Sequence, residues 1–152
     1  MTTTAVTVGH VERIPIHFDD LDAMGVVHNA RFAVLLERAL SGYWAPRGHS
    51  YQNGAPTSSD VFHAVREFSI SYLSPIRGTG EVDVHFWADR FAGSSAVYRF
   101  RFLSTDHRTV HAEGHRSIVK LDPRTLRPTP WSPEALEIAA GLLAPTTSEK
   151  VA

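Results

Sequence analysis

The hydrophobic positions of this chain change their period once near the N-terminus, and the change separates a strand from a long helix. Residues 5–18 are rich in β-branched side chains and are interrupted by one glycine and one proline, which predicts a strand near a sheet edge. From Asn29 the apolar residues recur three and four positions apart, the spacing of one helical face. These residues are Phe32, Leu35, Leu36, Ala39, Leu40 and Tyr43. Asn29 fits an N-cap, and Pro46 predicts that the helix ends near Trp44.

The second half of the chain is predicted to be mostly strand. Residues 49–60 are polar and turn-rich and are interpreted as a loop. Four runs of β-branched and aromatic residues follow, separated by short turn segments. The runs are 61–73, 81–90, 95–104 and 109–121. Their short connections predict an antiparallel meander of four strands, and a short amphipathic helix is expected at about 133–143 after a proline-rich segment.

This order of elements predicts an α+β domain. A strand, a long apolar helix, four strands and a short tail helix fit a curled antiparallel sheet of about five strands with the helix against one face. We expect one domain over residues 1–152, with its core at about 5–131 and a C-terminal tail at 132–152. Because the edges of such a sheet need covering, the arrangement favours a dimer in which sheets pair edge to edge.

Composition narrows the chemistry that this domain can perform. Lysine and arginine number 15 against 16 aspartate and glutamate residues, so no overall field attracts a polyanion and nucleic acid is not expected as a partner. The absence of cysteine excludes disulfides, thiolate zinc sites and a cysteine nucleophile. The N-terminus MTTTAVTVGH lacks the pattern of an export signal, and no segment is apolar enough to cross a bilayer. We therefore expect a cytoplasmic protein without membrane insertion.

The stretch with the clearest chemical pattern is residues 18–32, FDDLDAMGVVHNARF. Three carboxylates precede a glycine turn, and the buried helix begins four residues after that glycine. A helix start aims unpaired backbone N–H groups and the positive end of the helix dipole at the space beside the turn. A carbonyl oxygen there would be polarised, and a carboxylate opposite it could attack or activate water. By local pattern alone, acidic residues at this position are more often caps and solvated turn formers.

Beyond the local pattern, the stretch resembles the D-x-D-A-x-G-x-V-x-x-x-x-aromatic signature of the hotdog thioesterases related to 4-hydroxybenzoyl-CoA thioesterase and the Tol-Pal-associated acyl-CoA thioesterase. The matching residues are Asp20, Asp22, Ala23, Gly25, Val27, Asn29 and Phe32. Two later segments are similar to the family's Y-x-x-P strand end and its V-D-x-x-T-x-R-P closing segment. They contain Ser71, Tyr72 and Pro75, and Asp122, Thr125, Arg127 and Pro128. The resemblance extends over about residues 10–131.

The resemblance implies a hotdog fold and hydrolysis of an acyl- or aroyl-CoA thioester, or alternatively an acyl carrier protein thioester, without a metal or organic cofactor. Asp22 would be the catalytic carboxylate, either as nucleophile or as general base, and the backbone N–H of Asn29 would contact the oxyanion. Gly25, His28 and Phe32 would contact the substrate. The resemblance also implies a homo-oligomer, a dimer or a tetramer with the tetramer favoured, whose pockets lie at subunit interfaces.

The chain departs from the family pattern in two places. Tol-Pal-associated members carry a histidine at the position of Asn29, whereas here His28 is one residue earlier, so we assign His28 to the lining of the pocket. Some members bind the CoA phosphates through a basic cluster where this chain has FAGSS at 91–95. Arg90 is then the nearest candidate for a phosphate contact.

Two other functions remain open at this stage. A hotdog enoyl-thioester hydratase or dehydratase would need a histidine facing the substrate, and the displaced histidine argues against it. The second is a non-catalytic acyl-thioester binding protein. Other hotdog thioesterases use a glutamate on the central helix, here Glu37, although an exposed or ion-paired role is more common for such a residue. His111, Glu113 and His115 share one strand face, a pattern more typical of a half-exposed polar face than of metal ligands.

Overall fold

A five-stranded antiparallel sheet and the helix packed on it organise the chain, and the predicted α+β fold is confirmed. The computed structural model describes residues 2–145, so residues 146–152 of the predicted tail lie outside the described residues. The strands of the sheet are β1 (His10–Ile16), β4 (His63–Tyr72), β5 (Gly80–Ala92), β6 (Ser95–Leu103) and β7 (Val110–Lys120). The strands β2 (Tyr51–Gln52) and β3 (Ala55–Pro56) form a separate hairpin. Across the main sheet the order is β1-β5-β6-β7-β4.

The long helix forms where the three-and-four spacing predicts it. A 3-10 turn at Asn29–Arg31 leads into α1 (Phe32–Trp44), which ends at the predicted residue. The expected N-cap is displaced by one position, because Nδ1 of His28 accepts the N–H of Ala30 at 3.0 Å. His28 therefore does locally what the sequence assigned to Asn29.

The apolar face of α1 and the inner face of the sheet form the core. All six periodic residues of the helix are buried, as the spacing predicted. Side chains from β5 and β6 pack opposite them with almost no exposure, among them Val82, Val84, Phe86, Phe100 and Phe102. Full burial of one such side chain contributes roughly 1.5 to 3 kcal/mol, so this contact fixes the position of α1 on the sheet.

Three predicted details are wrong. Residues 5–9 precede the first strand, which begins at His10, and the predicted loop 49–60 contains the small hairpin of β2 and β3. The four-strand meander fails at its first connection, because β4 pairs with β7 at the far edge of the sheet and not with β5. The connection from β4 to β5 instead crosses to the glycine turn, where Val27 N–H donates to the Ile76 carbonyl at 2.9 Å.

The C-terminal segment closes the opposite end of the core. A short helix, α2 (Pro133–Ala139), and a 3-10 turn over Ala140–Leu142 form in the predicted place. Asp60 anchors the start of α2, since its carboxylate accepts the Nζ of Lys120 at 3.0 Å and the N–H of Ser132 at 2.9 Å. None of the described helices is both long enough and apolar enough to cross a membrane.

Candidate active site

Asp22 lies in a tight turn that its own side chain stabilises. Its Oδ1 accepts the N–H of Met24 at 2.8 Å and the N–H of Val26 at 3.4 Å, and its carbonyl accepts the N–H of Gly25 at 3.0 Å. Gly25 has φ +75°, a conformation that only glycine adopts without strain. The other carboxylate oxygen, Oδ2, receives no hydrogen bond from residues 2–145 and keeps its full capacity as an acceptor or nucleophile.

The turn is held against the β4–β5 connection. Besides the Val27–Ile76 hydrogen bond, the N–H of Gly78 donates to the carbonyl of Gly25 at 2.9 Å. Val26 and Arg77 form an isolated antiparallel bridge. These backbone contacts fix the position of Asp22, although it lies outside regular secondary structure.

The start of the helix supplies a backbone N–H donor, that of Asn29. The carbonyl and the side chain of His28 accept the N–H groups of Arg31 at 2.8 Å and Ala30 at 3.0 Å. The N–H of Asn29 finds no acceptor within residues 2–145, as expected for the first amide of a helix. The hydroxyl of Tyr72 donates to the Asn29 carbonyl at 3.1 Å and thereby orients this residue.

Asp22 and Asn29 line the same groove, which has a cavity volume of about 400 Å³. Phe32 forms part of its wall, with the edge of its ring against Tyr72 at 5.2 Å between centroids. The remaining lining residues come from the turn and the β4–β5 connection: Val26, Val27, Leu73, Ser74, Pro75 and Ile76. The groove therefore combines one carboxylate, one helix-start amide and an apolar wall.

The structure does not bring every predicted site residue to this groove. Gly25 shapes the turn, and His28 caps the 3-10 turn with its ring exposed, but neither lines the cavity. Arg90 is exposed near the end of β5 and also lies outside the groove.

The buried carboxylate of Asp20 connects the segment before the glycine turn to the start of the helix. Its buried carboxylate accepts the N–H of His17 at 2.8 Å and Nε of Arg31 at 2.9 Å, with Arg38 at 3.8 Å. Burial alone would raise the pKa of Asp20, but the His17 amide and the two guanidinium groups outweigh it and hold the pKa below its ordinary value. A carboxylate with both oxygens occupied and a lowered pKa is suited to a structural role.

Sequence reasoning missed Tyr72 and the connection after it as part of the site. The Y-x-x-P motif in residues 72–75 was the available signal, but it was used only to support the resemblance. Tyr72 lies beside Asn29 because β4 is at the far edge of the sheet and the β4–β5 connection crosses to the glycine turn. The predicted meander did not contain this arrangement.

The other candidate residues are engaged elsewhere. Glu37 forms an ion pair with Arg116, and His115 contacts Glu67. Nδ1 of His111 lies 3.2 Å from the carbonyl of Ser74. Within residues 2–145, no three histidine, aspartate or glutamate side chains are grouped as metal ligands.

Comparison with known proteins gives matches over most of the chain. Residues 16–139 match the family described as the thioesterase-like superfamily. The acyl-CoA thioester hydrolase YbgC of Escherichia coli O6:H1 is 25% identical over 115 residues, which cover 76% of this chain and 84% of that protein.

Solved protein structures that superpose on this chain have a similar sequence identity to it. The PA5185 protein from Pseudomonas aeruginosa PAO1 superposes with a TM-score of 0.79 at 22% identity, over 91% of this chain and 94% of that one. A thioesterase from Thermus thermophilus, solved with coenzyme A and zinc, gives a TM-score of 0.68 at 25% identity, over 87% of this chain and 92% of that one.

Proposed function

Because the chain belongs to the thioesterase-like superfamily, we propose that it hydrolyses an acyl- or aroyl-CoA thioester to a free acid and a thiol. The homologous YbgC is an acyl-CoA thioester hydrolase, and the Thermus thermophilus relative was solved with coenzyme A. An acyl carrier protein thioester presents the same reactive bond and is the alternative substrate.

One observation carries this proposal: the Oδ2 of Asp22 and the N–H of Asn29, neither of which has a partner among residues 2–145, belong to residues that line one groove. The thioester carbonyl would lie between them. As the carbonyl carbon becomes tetrahedral, negative charge develops on its oxygen, and the Asn29 N–H donates a hydrogen bond to that charge. The helix dipole adds to the same stabilisation.

The carboxylate of Asp22 can complete the reaction in two ways. As a nucleophile it attacks the carbonyl carbon and expels the thiolate, which takes up a proton, and water then hydrolyses the mixed anhydride. As a general base it removes a proton from water, and the resulting hydroxide attacks the carbon directly. Both routes consume one water and release one acid and one thiol.

The remaining site residues take supporting roles in this proposal. Phe32 contacts the acyl group from the apolar wall, Gly25 permits the turn that carries Asp22, and the exposed ring of His28 contacts substrate at the rim. Arg90 lies outside this groove, so its contact with the CoA phosphates would require the neighbouring subunit of an oligomer.

A second copy of the chain would complete the groove. The edge of β4 has no neighbouring strand in the described sheet, and Tyr72 and Leu73 at its end are 52% and 56% exposed. Pairing of two chains along β4 would cover these apolar side chains and close the open side of the groove. We favour a homotetramer built from two such dimers.

The test is thiol release from a panel of acyl-CoA substrates by the wild-type chain and Asp22→Asn. The chain has no cysteine, so a thiol reagent detects only the released CoA. We expect Asp22→Asn to lower kcat at least about 100-fold while substrate affinity is retained, because the amide can still accept the turn hydrogen bonds through its oxygen but is neither a base nor a nucleophile.

The matched control is Asp19→Asn, which makes the same chemical change at an exposed aspartate three residues away. It should keep wild-type turnover. Equal turnover of wild type and Asp22→Asn would refute the assigned role, and binding without thiol release from any acyl-CoA would identify a binding protein.

A further inference from the structure

A second cavity, of about 550 Å³, lies along the C-terminal half of α1. Its wall is largely aromatic, formed by Trp44, Phe91, Tyr98 and Trp131. Polar side chains enter it as well: Glu37 and Arg116 on one side, and His49 on another. The reaction derived for the groove uses none of these residues.

The cavity and the groove are both lined by residues of α1 and β4. A bulge between Val65 and Glu67 changes the alternation of β4, so that the inward-facing residues run from Val65 at the cavity, past Phe68 and Ile70, to Tyr72 at the groove. On α1, Phe32 lines the groove and Leu40 lines the cavity, about 12 Å further along the helix axis. An acyl chain that starts at the groove would have to run along this apolar strip to reach the cavity.

Two residues that line the cavity each carry a donor without an acceptor among residues 2–145. Arg116 is 5% exposed, and its Nε has no acceptor within residues 2–145, because the ion pair with Glu37 uses a terminal nitrogen. Tyr98 is its cross-strand partner on β6, so the two side chains lie next to each other. The Tyr98 hydroxyl accepts Nε1 of Trp44 at 2.9 Å, which leaves its own hydrogen free to donate. Burial raises the pKa of Tyr98, so this hydrogen is retained.

A third polar atom points to the same kind of ligand. His49 is 8% exposed; its Nδ1 lies 2.6 Å from the hydroxyl of Ser58, and its Nε2 has no partner within the described chain. A buried polar atom without a partner is costly, and a ligand oxygen would remove that cost.

The charges around the cavity decide between a charged and a neutral ligand group. Arg116 is paired with Glu37, and Lys120 is paired with Asp60. A carboxylate would therefore enter a site whose positive charges are already neutralised. An uncharged hydroxyl or keto oxygen can accept from Arg116 and Tyr98 without adding charge.

We propose that this cavity receives the far end of the acyl group and that Arg116 and Tyr98 select acyl groups carrying an uncharged oxygen there, a hydroxyl or keto group, over plain hydrocarbon chains. This inference rests on the proposed thioesterase function, because it places the reacting carbonyl in the groove.

The first experiment compares kcat/KM for a chain-length series of saturated acyl-CoA substrates with their ω-hydroxy and ω-carboxy counterparts. At the chain length that reaches the cavity, we expect the ω-hydroxy substrate to be preferred roughly tenfold or more over the plain chain, since a hydrogen bond from a charged donor is among the stronger ones in proteins. No preference at any length, or a preference for the ω-carboxy substrate, would overturn the proposal.

Two variants assign the preference to its residues. Arg116→Lys keeps the positive charge beside Glu37 but removes Nε, and Tyr98→Phe removes only the hydroxyl. Each should reduce the preference severalfold, measured within each variant as the ratio of kcat/KM for the ω-hydroxy substrate to kcat/KM for the plain substrate of the same length. Tyr51→Phe is the matched control, because it removes a hydroxyl from a 63% exposed tyrosine that lines the same cavity. If the preference persists in both Arg116→Lys and Tyr98→Phe, these residues do not determine it.

A binding measurement separates this inference from the proposed function. Trp44 and Trp131, two of the three tryptophans, line the cavity, so intrinsic fluorescence reports its occupancy. Titration of Asp22→Asn with ω-hydroxy and plain fatty acids should show tighter binding of the ω-hydroxy acids. If that difference appears although no acyl-CoA is hydrolysed by wild type, the cavity assignment holds and the thioesterase proposal fails. Equal binding of the two acids together with active hydrolysis would refute the cavity assignment and support the thioesterase proposal.

Discussion

At the scale of single residues, two aspartates two positions apart have different surroundings. Asp20 is fully buried, and its oxygens are occupied by an amide and two arginines. Asp22 is half-buried and has one oxygen without a donor from the described chain. The sequence pattern identified both as candidates, and the resemblance chose Asp22. The partners of Asp20 could not be predicted, because Arg31 and Arg38 reach it from the 3-10 turn and from α1, which the fold brings back beside it.

The environment of Asp20 predicts that it stabilises the fold. Replacing Asp20 by Asn should lower the free energy of unfolding by about 2 kcal/mol near neutral pH, because the charged hydrogen bonds to Arg31 and His17 are weakened. The pKa of Asp20 is lowered on folding, so its contribution is complete above its ordinary pKa of 3.8 and is lost as the pH falls through the folded value. Urea denaturation of the wild type and of Asp20→Asn between pH 7 and pH 2 measures the difference in their free energy of unfolding.

The difference in free energy of unfolding between wild type and Asp20→Asn should therefore narrow below about pH 4. Asp19→Asn should show no comparable loss of stability at neutral pH. A constant difference from pH 7 to pH 2 would mean that the carboxylate charge does not stabilise the fold.

At the scale of elements, local patterns predicted what each segment is but not which strand lies beside which. Periodicity located the end of α1 at Trp44 and placed its start at Asn29, where the 3-10 turn that leads into α1 begins, because its six apolar side chains face one core. It could not place β4 at the far edge, because the pairing of β4 with β7 joins residues about 40 to 60 positions apart in sequence. The groove and the second cavity both depend on that pairing, so neither could be drawn from the sequence.

The β4–β7 pairing contains one position where only glycine fits. A methyl group built on Gly114 of β7 would collide with the backbone carbonyl of Ser69 on β4 and would lie 2.9 Å from the Phe100 ring. Gly114→Ala should therefore separate the two strands and lower the free energy of unfolding by about 3 kcal/mol. Thermal and urea denaturation measure this loss.

The control on the same strand is Ser117→Ala, which adds no atom and should change stability little. Because β4 carries Tyr72 into the groove, Gly114→Ala should also lower thioester turnover under conditions where it remains folded. Wild-type stability of Gly114→Ala would show that the two strands adjust at no cost.

At the scale of the whole molecule, α1 and β4 both contribute to the groove with Asp22 and Asn29 and to the aromatic cavity. β4 is also an edge strand of the described sheet, and three apolar residues along it and at its end, Val65, Tyr72 and Leu73, are each about half exposed. Apolar side chains concentrated on a sheet edge are typical of an interface, and the dimer proposed along β4 would therefore form beside the groove.

This arrangement predicts that breaking the proposed β4 interface lowers both assembly and activity. Leu73→Lys places a charge on the end of β4 and should shift the protein to its monomer mass of 16.8 kDa in analytical ultracentrifugation. The mass is the readout of the interface, because Leu73 also lines the groove and its charge can lower thiol release directly. Leu126→Lys is the matched control, because Leu126 is 64% exposed on the turn after β7, at the opposite end of β4 from Leu73. An assembled Leu73→Lys protein would place the interface elsewhere, and a fully active monomer would show that one chain alone completes the site.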